Sequence, residues 1–100
     1  MRFFIDIDGT LTIAREMWSP INPGMIDKVK ALIEAGHEVI IWSTGGTAYA
    51  REFCERYHIK PFAALGKPHF IVDDNPKFHK TIVSPGEFLI RHFGAPGEPR

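Results

Sequence analysis

Apolar residues along this chain fall into short unbroken runs separated by helical stripes. Residues 2–6 (RFFID) and 38–43 (EVIIWS) are apolar without alternation, the pattern of strands buried on both faces. Between them Asn22 stands as an N-cap with Pro23 at the first helical position. Met25, Val29, Leu32 and Ile33 then recur at helical spacing, and Gly36 supplies the stop. Thr44-Gly45-Gly46-Thr47 opens a second helix with the apolar face Tyr49, Ala50, Phe53, Cys54 and Tyr57; Pro61 lies just beyond it. Residues 62–65 (FAAL), 69–73 (HFIVD) and 80–83 (KTIV) predict further strands. Ser84-Pro85-Gly86-Glu87 is a capping box that starts a helix over 85–93, carrying Phe88, Leu89, His92 and Phe93. Residues 9–21 read as loop, and 94–100 as a flexible tail.

Strands alternating with helices predict an α/β fold: a three-layer, Rossmann-like parallel sheet with helices on both faces, in one domain over 1–93. Ligands of such sheets sit beyond the carboxyl ends of the strands. The polar strand endings here are Asp6, Ser43 and Asp73-Asp74, all expected on one edge.

Composition narrows the partners. Of the 100 residues 44% are hydrophobic and 24% charged, as in an ordinary globular protein. Twelve basic residues balance twelve acidic ones, so no net field draws the chain to nucleic acid or an anionic membrane. The single cysteine, Cys54, forms no intramolecular disulfide and falls on a helical apolar stripe, where packing explains it. No apolar run reaches membrane-spanning length, and the N-terminus does not read as a signal peptide, so a cytoplasmic location is expected. The five histidines show no ligand spacing and read as structural.

The stretch FFIDIDGTLT, residues 3–12, carries the chemistry. Asp6 and Asp8 place two carboxylates at the mouth of a buried strand, where their repulsion is costly unless a cation or a shared proton offsets it. A strand-end carboxylate such as Asp6 can attack phosphorus. The plainer reading is a strand-to-turn junction built on Asp8-Gly9. Ser43, with Thr44, Gly45 and Gly46, offers a hydroxyl and free backbone N–H groups to an anion; the same residues could simply cap the next helix. Lys67 and Lys60, each followed by Pro, are the candidate site cations, and Lys67 lies nearer the 69–73 run. Asp73 and Asp74 are hard oxygen donors suited to Mg²⁺, or an Asx-type turn before Pro76. Met17 and Trp18 put a hydrophobic tip in the first loop: a small lid, a contact in a homo-oligomer, or a segment folded back on the core.

Four pieces in order, FFIDIDGT, VIIWSTGG, Lys67-Pro68 and FIVDDNP, resemble the haloacid dehalogenase-like superfamily of phosphohydrolases over residues 2–76. The resemblance implies Asp6 as nucleophile and Asp8 as general acid and base. It implies Ser43, with Thr44 as the alternative, and Gly45 for the transferring phosphoryl group, and Lys67 for its charge. Mg²⁺ would be held by Asp6, Asp73 and the main-chain carbonyl of Asp8, with Asp74 as an outer or alternative ligand. The family often places its lysine near a helix start, whereas Lys67 stands in a short loop. Intervals 10–22 and 46–66 are too short for the cap domains of many relatives, so a capless member with an open site is expected. The expected activity is Mg²⁺-dependent phosphomonoester hydrolysis on a phosphorylated substrate that the sequence does not identify. The rivals are a non-catalytic binding or regulatory subunit, and a phosphatase module for nucleotide or nucleic-acid ends. The last lacks the basic stripe that nucleic-acid binding needs.

Overall fold

The computed structural model describes residues 1–75 and 82–94. The chain divides into two compact units, Met1–His69 and Phe70–Arg100. The first holds β1 (Arg2–Asp6), α1 (Pro23–Glu34), β2 (Glu38–Ser43), α2 (Thr47–Arg56) and β3 (Ala63–Gly66); the second holds α3 (Pro85–Phe93). The result is a small α/β fold with a three-stranded parallel sheet in the order β1-β2-β3.

Each element of the first unit follows from local chemistry. Asn22 caps α1: its side-chain oxygen accepts the Met25 N–H at 3.2 Å, and Pro23 enters the first turn where its missing N–H costs nothing. Met25, Ile26, Val29 and Leu32 bury one face of α1, while Gly36 at φ +90 reverses the chain into β2. In α2 the buried residues are Tyr49, Ala50, Phe53 and Cys54. Sequential right-handed crossovers stepping in one direction put α1 and α2 on the same side of the sheet. That side carries Ile5, Val39, Ile41 and Ser43, all buried. On the other side Phe4 meets Trp42 edge-on at 4.7 Å and stays half exposed. Among the described residues no helix is long and apolar enough to cross a membrane.

Two strand expectations meet a different structure. The expected 62–65 strand runs one residue later, as Ala63–Gly66. The 69–73 run forms no strand: Phe70, Ile71 and Val72 are 89%, 59% and 96% exposed. Pro68 cannot donate a ladder hydrogen bond, and the apolar stretch beyond it is only three residues long. The Asp73 carboxylate accepts the Asn75 N–H at 2.7 Å, so a turn stands where a strand end was expected. Residues 82 and 83 of the expected 80–83 strand are also irregular; 80–81 lie outside the described residues, as do 95–100 of the expected tail. In α3 Ser84 accepts the Glu87 N–H at 3.2 Å, half of the capping box, while the Glu87 carboxylate pairs with Arg91 at 2.7 Å.

Burial pushes the Cys54 thiol up to about 11. The folded thiol therefore keeps its proton in a range where the unfolded thiol, near 9, has lost it. We expect Cys54 to resist thiol reagents at pH 8 in the native protein and react at once in denaturant. Stability should fall as pH rises from about 9 to 11, an effect that Cys54→Ala removes when followed by urea unfolding.

Candidate active site

The carboxyl ends of β1, β2 and β3 share one edge, because the strands are parallel and Asp6 pairs with Trp42 while Ser43 pairs with Gly66. Lys67 follows β3 directly. Its Nζ lies 3.0 Å from Asp6 Oδ1, with both side chains about a third exposed. To get there it crosses the end of β2, passing 5.9 Å from the Trp42 ring centroid. The other Asp6 oxygen accepts the Thr10 hydroxyl at 3.2 Å. Both carboxylate oxygens are thus directed before anything binds. Lys60 precedes β3, at the opposite edge, in a groove with Lys30, Glu34 and His58.

The turn after β1 is wound tightly. The Ile7 carbonyl accepts the N–H groups of Thr10, Leu11 and Thr12 at 3.0, 2.8 and 3.1 Å. Gly9 sits at φ +83, a backbone conformation that side chains resist. Its N–H donates to Thr12 Oγ1 at 3.0 Å. Leu11 and Ile7 are fully buried beneath, which anchors the turn carrying Asp8. Asp8 Oδ1 accepts the Tyr49 hydroxyl at 2.5 Å. Burial first, then this hydrogen bond, pushes the Tyr49 phenol up to about 12.

The loop beyond folds back. Thr12 and Ile21 form an antiparallel bridge, closed by the Ile13 N–H to Pro20 carbonyl bond at 2.8 Å. Trp18, at φ +61, packs edge-on against Tyr49 at 5.0 Å and lies beneath the Arg56 guanidinium at 4.0 Å. Of the alternatives for the Met17-Trp18 tip, Trp18 therefore takes the folded-back one, while Met17 stays half exposed.

At the end of β2, Ser43 is buried, and its Oγ accepts the Gly45 N–H at 3.0 Å. The Ser43 carbonyl accepts the N–H groups of Gly46 and Lys67 at 3.2 and 2.9 Å, fixing the start of α2 and the root of the lysine together. Thr44 and Gly45 are exposed. Gly46 caps α2 without a side-chain bond, which leaves N–H groups of the first turn for an anion.

The first unit thus brings together Asp6 and Lys67 directly, and it places Asp8, Ser43, Thr44 and Gly45 on the same strand edge. Asp73 and Asp74 belong to the second unit, where both are exposed and Asp73 forms the turn described above. Among the described residues no three His, Cys, Asp or Glu side chains gather as a metal-holding group. The donors of the first unit, two carboxylates and backbone carbonyls, nevertheless fit the chemistry of Mg²⁺, which takes one or two carboxylates and completes its shell with water and substrate oxygens.

Sequence reasoning missed Thr10 and Tyr49. Tyr49 sat on an apolar stripe and was counted as packing. The available signal was that a buried phenol needs a partner for its hydroxyl, and a carboxylate was in reach of the same edge. Comparisons with family models, with curated proteins and with solved structures find no match.

A Cβ on Gly45 would lie 2.8 Å from the Tyr49 ring and 3.3 Å from Ser43 Oγ. We therefore expect Gly45→Ala to lower stability by about 1–3 kcal/mol in urea unfolding, through strain at the α2 entrance.

Proposed function

We propose that this protein is a Mg²⁺-dependent phosphohydrolase, a capless member of the haloacid dehalogenase-like superfamily acting on phosphate monoesters. The observation that carries the reading is the Lys67 ammonium 3.0 Å from Asp6 Oδ1 at the shared strand edge. A lysine there screens the approach of an anionic ester to a carboxylate nucleophile and stabilises charge on the phosphoryl oxygens.

In this reading an Asp6 carboxylate oxygen attacks phosphorus, and the bond from phosphorus to the leaving oxygen breaks. Asp8 gives its proton to that oxygen, releasing an alcohol and leaving an acyl-phosphate on Asp6. Asp8, now a base, takes a proton from water as the water attacks phosphorus. The phosphorus bond to Asp6 breaks and phosphate departs. The first turn of α2, where Gly45 lets the main chain come close, receives the phosphoryl oxygens together with the hydroxyl of Ser43 or Thr44. Asp6 and the Asp8 carbonyl would hold Mg²⁺, with water and substrate oxygens completing its shell; the cation supplies Lewis-acid charge neutralisation. Completion of a three-layer sheet and a cytoplasmic setting belong to the same reading. The short loops at the strand edge favour an open site that takes bulky monoesters.

A panel of phosphate monoesters assayed with and without Mg²⁺ tests it. Turnover should require the metal and fall by more than about 10³-fold in Asp6→Asn. Lys67→Met should lower kcat/KM by roughly 10²-fold. Undiminished turnover in Asp6→Asn removes the covalent route, and silence of the whole panel transfers the case to the binding-subunit alternative.

A further inference from the structure

We infer that Tyr49 is a positioning residue for Asp8: it occupies one carboxyl oxygen and thereby dedicates the other to proton exchange. The inference rests on the phosphohydrolase reading and adds to it a residue that the reading does not use. Tyr49 is 4% exposed, and its hydroxyl lies 2.5 Å from Asp8 Oδ1. The Trp18 N–H donates to the same hydroxyl at 3.4 Å. One lone pair of the phenol is thus taken by Trp18, which turns its O–H toward Asp8. Oδ2 of Asp8 is left as the oxygen that gives a proton to a leaving group and takes one from water.

The mount behind this contact is an aromatic cluster. Trp18 lies beneath Arg56 and stacks near Phe53 at 6.1 Å, and its φ of +61 is held by those contacts. Tyr49 itself stands on the first turns of α2, close to the Gly45 approach. Packing alone does not account for the hydroxyl. Phenylalanine would keep the ring contacts with Trp18 at 5.0 Å and Phe53 at 6.3 Å. The oxygen is the part that reaches Asp8; the contacts that hold the turn itself, to the Ile7 carbonyl and to Thr12 Oγ1, leave the Asp8 carboxylate to Tyr49.

The test compares Tyr49→Phe with wild type on two esters. An alkyl phosphate needs its leaving oxygen protonated, whereas p-nitrophenyl phosphate leaves without help. The parameter is kcat/KM, which reports steps through transfer to Asp6. A misplaced Asp8 should cost the alkyl ester on the order of 10²-fold and the aryl ester far less. Equal losses on both overturn the positioning role, since general damage to the site does not sense the leaving group. A second arm is independent of turnover: thermal midpoints of Tyr49→Phe, Asp8→Ala and the double variant. Non-additive shifts are expected for groups in contact, and strictly additive shifts show that the contact is absent in solution, which overturns the inference alone. Wild type inactive on both esters, with the shifts still non-additive, is instead the failure of the phosphohydrolase reading, and the positioning role falls with it.

Discussion

An ammonium reaching across a strand to a carboxylate is the contact on which the site is organised. Neighbouring strands stand about 4.8 Å apart, so β1 and β3 are separated by roughly 10 Å. Lys67 bridges that span over the end of β2 and meets Asp6 at 3.0 Å. A pair about a third exposed contributes at most about 1 kcal/mol to folding, so stability is a poor account of its placement. Its consequence is electrostatic: a positive charge and a carboxylate are presented together at an edge where backbone N–H groups also point outward. The requirement behind it is a parallel sheet in register, because only then do the ends of β1, β2 and β3 coincide.

The aromatic cluster on α2 extends this organisation from the sheet to the loop. Phe53 is fully buried, with Tyr49 and Trp18 around it and Tyr57 at 4.8 Å. The loop after β1 therefore rests on the same helix whose N-terminus faces the strand edge. Asp8 lies where these parts meet, joined to the sheet through the Ile7 turn and to α2 through Tyr49. Packing and polar contacts thus converge on the second carboxylate as the lysine does on the first.

Much of this was legible in residue order. The ends of β1, α1, β2 and α3 coincide with their cap and apolar signals, because Asn22, Pro23, Gly36, Ser84 and Pro85 act through local backbone chemistry. Of the two candidate lysines, the one nearer in sequence to the 69–73 run is also the one beside Asp6. The 69–73 run was misread because composition reports willingness to be buried, while a strand needs a partner edge that composition does not contain. Trp18 and Tyr49 were only half legible: helical spacing identified the buried face, but not the hydroxyl contact made across 41 residues of sequence. Such contacts depend on the path of the loop, which a φ of +61 at Trp18 makes hard to anticipate.

The central claim is that Asp6, beside Lys67, accepts the phosphoryl group. The most direct measurement is an acid quench during turnover, borohydride reduction of any acyl-phosphate, and mass spectrometry of the resulting peptides. The account predicts homoserine at position 6, formed only with Mg²⁺ and substrate present. Reduction at position 8, or steady turnover with an unmodified Asp6, would contradict it.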